Sequence, residues 1–270
     1  MIFATDLDRT IIFSYRFIKD NKQREELICM EESNNKEISY MKKETFLKLL
    51  DLNKLVTITP VTMRSLKEYT RLLFAKEMKY AIVANGGMIL KNGKPLADWQ
   101  NKIKTLKPHN YLEVSELLKQ YNSMFKKDIK LVDDVYFFAS VKDTLTEHKE
   151  SIKEEIQASL DNKTSEWKAI CNGNKIYIYP KNITKDKALA FLKQYIEKEE
   201  GKKSYMITAG DALVDLPILK LGDQRIIPEN SAILKHNLDN LFYLKVKENF
   251  DGTLDMLNIV EMYHKEIESS

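Results

Sequence analysis

At 270 residues the chain is long enough for a core domain with a modest second one, and its 43% hydrophobic residues can supply a packed interior. Charged residues make up 31% and alternate in sign along the chain, for a net charge of only +3, without the basic runs that announce nucleic acid or an anionic membrane. No stretch approaches the ~18 apolar residues of a membrane helix, and Cys29 and Cys171 stand in no metal or redox spacing, so a protein of the reducing cytoplasm is expected.

Residues 2–5 form an apolar run with no polar face, which predicts a buried parallel strand; the run meets an acid at Asp6 and so does not read as a signal segment. Between Ile11 and Lys43, segments 27–30 and 37–40 can pair across Ser33-Asn34-Asn35, a flap hairpin within residues 14–43 at the same edge as Asp6. A helix is expected from Glu44 to Leu50. Residues 55–59 predict a second buried strand, followed at once by a helix with Leu66, Tyr69 and Leu73 on one face. Residues 80–84 predict a third strand, ending in Asn85-Gly86-Gly87.

The pattern then changes. Segments 88–90 and 95–97 flank Asn92-Gly93, a hairpin signal. A helix follows over 111–121 with Val114, Leu117, Leu118 and Tyr121 as its stripe, then adjacent strands over 129–132 and 136–141, and a second helix marked by Ile152, Ile156 and Leu160. Residues 167–171 turn through Asn172-Gly173 into a strand at 175–179, expected to return the chain to the core. A helix from Lys185 carries Ala188, Leu189, Leu192 and Ile196 on one face; a strand at 205–209 then leads into a helical stretch over 213–219. The expected fold class is therefore α/β: a doubly wound parallel sheet from residues 1–87 and 176–270, with an inserted α+β cap domain over 88–175.

Four groups of polar residues follow the predicted core strands, where ligands bind in such sheets. Asp6-Leu7-Asp8-Arg9-Thr10 follows the first; extended residues alternate, so Asp6 and Asp8 can face one way with Leu7 in the core. Two such carboxylates can divide phosphoryl transfer, one attacking phosphorus and the other protonating the leaving oxygen, although the same pattern also suits a solvated turn. Thr62 is placed at a helix N-terminus, where hydroxyl and amides bind an anion, with Thr59 as its rival. Lys185, with Lys187 as its rival, offers a point charge for phosphoryl oxygens. Gly210-Asp211-Ala212-Leu213-Val214-Asp215 is either a helix cap or a magnesium site. In the second case Asp6, Asp211 and Asp215 supply carboxylates and Asp8 its main-chain carbonyl to Mg2+.

In one parallel sheet these groups converge at one edge, though the first and last lie about two hundred residues apart. Arg64 either reaches the phosphate or faces solvent, and Asn85, at a strand end beside two glycines, is both a hinge marker and a candidate site residue. His109, His148, His236 and His264 lack a metal spacing, and Trp99 and Trp167 are expected to pack inside the cap.

In this order the motifs resemble those of the haloacid dehalogenase (HAD) superfamily, with its Rossmann-like core. Asp6 to Thr10 resembles its first motif, Thr62-Met63-Arg64-Ser65 its second, Thr184-Lys185-Asp186-Lys187-Ala188-Leu189 its third, and Gly210 to Asp215 its fourth. The insertion after Gly87 lies where that family's type-two caps sit, as in Cof-like and sucrose-phosphate phosphatases, and the resemblance extends to Asp251-Gly252. Phe3 to Thr10 and Pro60 to Arg64 are most similar to a subgroup tied to bacterial tellurite-resistance and stress operons. The resemblance implies Asp6 as nucleophile, Asp8 as acid/base, Thr62 and Lys185 as phosphate ligands, and Asp211 and Asp215 as the magnesium site. It implies a phosphatase acting on a small phosphorylated metabolite, a sugar phosphate or similar, with the cap setting specificity. A phosphomutase or phosphotransferase shares the same intermediate, and a catalytically silent binding module shares the fold. Arg9 stands where the family often has Gly, and Val214 where Cof-like members often have Asn.

Overall fold

The structure is a computed structural model and describes residues 1–236, 238 and 241–269. The chain runs through β1 (Ile2–Thr5), β2 (Phe13–Ser14), α1 (Asn21–Glu25), β3 (Leu27–Ser33), β4 (Lys36–Lys42), α2 (Lys43–Leu52), β5 (Thr57–Pro60), α3 (Leu66–Tyr69) and β6 (Tyr80–Val83). There follow β7 (Met88–Lys91), β8 (Lys94–Pro95), α4 (Ala97–Leu106), α5 (Tyr111–Lys119), β9 (Lys130–Val132), β10 (Tyr136–Ser140), α6 (Lys149–Asp161), β11 (Trp167–Asn172) and β12 (Lys175–Pro180). Last come α7 (Lys185–Glu200), β13 (Met206–Ala209), α8 (Leu216–Leu219), β14 (Gln224–Pro228), β15 (Leu244–Val246) and α9 (Asn249–Glu268).

Five parallel strands in the order β15-β14-β13-β1-β5 form the central sheet, and all four residues of β1 are buried because helices cover both faces. β6 adjoins the edge through a parallel bridge, Val61 to Ile82, and pairs antiparallel with β7. A separate antiparallel sheet, β11-β12-β10-β9, carries α5 and α6 over its own hydrophobic core, in which Trp167 lies. A third sheet, β2-β4-β3, is the hairpin anticipated before α2; its turn places Asn34 and Asn35 at φ 52° and 58°, the conformation a two-residue hairpin turn requires.

Several elements differ from expectation. The strand at 175–179 does not return to the parallel sheet: β12 pairs antiparallel with β10 and β11. Its alternation shows why, since Ile176 and Ile178 enter the second core while Tyr177 and Tyr179 face the other way. The helix after β5 stops after one turn. Leu73 donates its N–H to the Met30 carbonyl of β3 (2.9 Å) rather than along a helix, so Leu72 is buried and Leu73 exposed. Trp99, expected inside the antiparallel module, packs on Phe191 of α7 and donates to the Gly86 carbonyl (2.9 Å) from α4, a helix the sequence pattern did not suggest. β14, β15 and α9 were likewise not anticipated. Gly252 in α9 is needed for close approach: a Cβ there would lie 1.7 Å from the Lys247 carbonyl oxygen. Among the described residues no helix is long and apolar enough to cross a membrane.

Candidate active site

At the carboxyl end of β1 the Asp6 N–H still bonds the Ala209 carbonyl of β13 (2.9 Å), which continues the sheet ladder and points the side chain beyond the sheet edge. Leu7 turns into the core, fully buried, while Asp6 and Asp8 both line the cleft above. The chain then curls so that the Leu7 carbonyl accepts from Ile11 and Ile12 (both 3.0 Å), with Arg9 left-handed at φ 65°. Glycine adopts that conformation without cost, so this departure from the resembled motif carries mild backbone strain.

Lys185, the first residue of α7, is only 2% exposed. Its Nζ lies 2.6 Å from Asp6 Oδ1 and 2.7 Å from Asp215 Oδ1. The neighbouring backbone is fitted to this reach: Gly86, at φ 93°, lets the Thr184 carbonyl come so near that a Cβ would sit 2.3 Å from its oxygen. Lys187 is exposed and bonds the Lys181 carbonyl (2.9 Å), so Lys185 alone of the two enters the site. Asp215 is fixed by the Ala212 N–H (3.1 Å), and the missing side chain of Gly210 makes room for it.

Asp6, Asp211 and Asp215 are all buried, with carboxylate oxygens within 4.8 Å of one another. Burial, then the charge of Asp215, raise the Asp6 carboxyl well above the ordinary range, against the pull of Lys185. Burial and Asp215 likewise push Asp211 up to about 7. Lys185 shifts upward, because its two carboxylate partners outweigh its burial. Three buried acids around one lysine leave negative charge uncompensated, and their hard oxygen donors suit a divalent metal ion. No histidine joins an acid cluster of this kind among the described residues.

Thr62 is 1% exposed, lines the cleft, and accepts the Arg64 N–H at its Oγ1 (3.1 Å). It does not stand at a helix N-terminus as expected. The helix begins four residues later, at Leu66, behind a cap in which Ser65 and Glu68 bond each other, and it is a single turn. Thr59 is sealed inside the sheet. Asn85 lies behind Thr62, with its N–H on the Thr62 carbonyl (3.1 Å) and its side chain outside the cleft lining. Val214 faces the cleft as a plain apolar group.

Arg64 neither binds free solvent nor points at the floor of the cleft. Its Nε and Nη2 hold both oxygens of Asp8 (2.9 and 2.8 Å), and its Nη1 holds Glu31 (2.5 Å). Arg71 bonds the other oxygen of Glu31 (2.6 and 3.0 Å). Loss of hydration raises the Asp8 carboxyl, but the hydrogen bonds and charge of Arg64 prevail and hold it below the ordinary range. Sequence reasoning missed Glu31, since an acid inside a hairpin strand reads as solvated.

The cleft encloses about 780 Å³. Its second wall comes from the antiparallel sheet, where the residues of β10 and β12 that point away from their own core, Tyr136, Phe138, Ser140, Lys175 and Tyr177, face the acids. Phe138 and Tyr177 stack at 5.6 Å between ring centres, and Tyr136 donates its hydroxyl to the Met63 carbonyl (2.6 Å), tying this wall to the loop after β5.

No family model matches this sequence, and no curated protein matches it. Solved structures do. The sucrose-phosphatase of Synechocystis, solved with sucrose and phosphate, matches with a TM-score of 0.62 at 11% identity, over 97% of this chain and 98% of that one. The C-terminal domain of a C. albicans trehalose-6-phosphate phosphatase matches at 0.65 and 13%, over 96% of this chain and 91% of that one. A haloacid dehalogenase-like hydrolase of Bacillus subtilis matches at 0.54 and 14%, over 96% and 91%. At these identities the likeness is one of fold, and the α/β core with its inserted antiparallel module is the architecture these proteins share.

Proposed function

We propose that this protein is a magnesium-dependent phosphomonoester hydrolase of the haloacid dehalogenase type, working through an aspartyl phosphate at Asp6. The observation that carries this reading is the buried triad of Asp6, Lys185 and Asp215 beside Asp211, at the end of the strand where Asp6 leaves the sheet. The three similar structures, two of them named as sugar-phosphate phosphatases, favour the same chemistry.

The phosphoryl group of the substrate rests at the floor of the cleft, held by the hydroxyl of Thr62 and the charge of Lys185. An oxygen of Asp6 attacks phosphorus while the bond to the leaving oxygen breaks, and Asp8, which Arg64 holds ionised until it takes a proton from solvent, gives that oxygen the proton. In the second half Asp8 takes a proton from water, the water oxygen attacks phosphorus, and the bond to Asp6 breaks to release phosphate. Lys185 orients Asp6 through a 2.6 Å contact and balances the charge that gathers between carboxylate and phosphate. Magnesium held by Asp6, Asp211, Asp215 and the main-chain carbonyl of Asp8 would supply the positive charge that lets an anion approach an anion.

The antiparallel module of α5, α6 and β9 to β12 acts as the cap: the wall of Tyr136, Phe138 and Tyr177 meets the leaving group and excludes water. A cleft of about 780 Å³ suits a small phosphorylated metabolite, such as a sugar phosphate, and not a macromolecule or nucleic acid. The test is phosphate release from p-nitrophenyl phosphate with magnesium. The native protein is expected to release it, and Asp6→Asn to lose at least about a thousandfold in rate. Equal rates for the two proteins would remove Asp6 from the mechanism.

A further inference from the structure

The hairpin of β3 and β4 breaks the alternation of a regular strand at one point. Cys29 stands opposite Tyr40, Glu31 opposite Ser39 and Glu32 opposite Glu37, so the register shifts on either side of Glu31. Neighbouring residues of a strand face opposite sides, yet Met30 and Glu31 are both buried, at 1% and 2% exposure. The irregularity explains this, because an extra residue in one strand bends it and re-aims a side chain. Met30 enters the hydrophobic core, and Glu31 turns to the cleft.

A carboxylate buried there is costly unless paired. Glu31 is paired twice, with Arg64 at 2.5 Å and Arg71 at 2.6 Å. Three nitrogens of Arg64 are therefore engaged, two on Asp8 and one on Glu31. A guanidinium with one partner follows that partner when it moves, whereas one pinned at a third nitrogen stays. To donate a proton Asp8 must release at least one oxygen from Arg64. With Glu31 holding the far end of the fork, the remaining bond guides the turn of the carboxyl.

We infer that Glu31 of the hairpin is a positioning residue for the acid–base step: through Arg64 it sets where the Asp8 carboxyl stands relative to the leaving oxygen. This rests on the hydrolytic reading above, and goes beyond it by placing a hairpin acid, outside all four motifs, in the path of proton transfer.

The test compares two esters in the presence of magnesium. Benzyl phosphate has an alkoxide leaving group that must be protonated; p-nitrophenyl phosphate has one that departs without a proton. Glu31→Gln keeps the shape and removes the charge, and Asp8→Asn sets the scale of lost proton donation. Glu31→Gln is expected to lower kcat/KM for benzyl phosphate about tenfold or more, within the range general acids contribute, and for p-nitrophenyl phosphate less than about threefold. Arg64→Lys keeps the charge but not the fork, is expected to show the same selectivity, and decides the matter if Glu31→Gln does not fold. Equal losses on both esters, or no loss on either, would overturn the positioning role while leaving the hydrolase intact. A native protein that releases phosphate from neither ester would remove the hydrolytic reading itself, and the positioning role with it.

Discussion

The cleft has a floor of interlocked charges and a wall of stacked rings, and the two are built by different rules. On the floor, Asp6, Lys185 and Asp215 are buried and hold one another at 2.6 and 2.7 Å, on residues that leave β1, α7 and the loop after β13. On the wall, Tyr136, Phe138 and Tyr177 pack ring on ring at 5.6 and 5.9 Å, on two strands of one small sheet. The floor depends on three separate pieces of chain meeting, so its lysine is held between two carboxylates while acid remains in surplus. The wall depends on a single two-residue period along β10 and β12, and is tied to the loop after β5 through the Tyr136 hydroxyl. On the proposed hydrolytic reading the difference separates reaction from selectivity: the floor would serve the step common to phosphate esters, and the wall would meet the leaving group.

The largest effect that can break this comparison is expected at Lys185. Lys185→Met leaves three buried carboxylates without their cation, and breaking a buried pair from one side costs roughly 3–5 kcal/mol. Thermal melts without metal should show that loss, and phosphate release should fall by about two orders of magnitude or more. A variant as stable and as active as the native protein would mean that the floor is not one electrostatic unit.

A smaller effect tests the surplus of acid. Asp6 and Asp211 have raised values in the folded protein, Asp211 about 7, so the folded state binds protons more tightly than the unfolded chain. Stability therefore rises as pH falls through about 7 toward 5, and the gain ends near the ordinary carboxylate range. In a chelator the melting temperature should increase by a few degrees from pH 8 to pH 5. Added magnesium should raise the value at pH 8 and flatten the slope. A melting temperature that falls over this window in chelator, or that ignores magnesium, would contradict a metal site among these acids.

The smallest effect belongs to the wall. Phe138→Ala removes a partly exposed ring that stacks on Tyr177 and lies under the Lys175 ammonium at 5.3 Å, both residues of the wall. It should raise KM several-fold for a bulky phosphate ester, leave kcat within about twofold, and barely change KM for a small one. An equal fall in kcat for every ester would show that wall and floor are coupled.

Much of the scaffold was legible along the chain. The runs ending at Asp6 and before Gly210 are apolar on both faces, which only a covered parallel strand tolerates, and the Asn34-Asn35 turn announced its hairpin. The approach of Lys185 was not legible as it occurs. It was expected behind a core strand, but it follows a strand of the antiparallel sheet and reaches the floor because Gly86 admits the Thr184 carbonyl. Trp99 and Leu73 went astray for a related reason: each is placed by one long-range hydrogen bond, to Gly86 or Met30, that no local period encodes.

By itself the sequence determined the fold class and the edge at which Asp6, Asp8, Thr62, Asp211 and Asp215 gather, because the buried strands β1, β5 and β13 hold no charged residue and leave charge only beyond their ends. Tertiary structure alone decided the partners. Arg64 was open between phosphate and solvent, and became the clamp on Asp8 because a shifted register brought Glu31 to its third nitrogen. Thr62 kept its place while losing its helix, and Asn85 moved behind it. Charge pairing acts between side chains that meet only after the chain has closed on itself, so the carboxylate at Asp6 can be read along the sequence and the fork that governs Asp8 cannot.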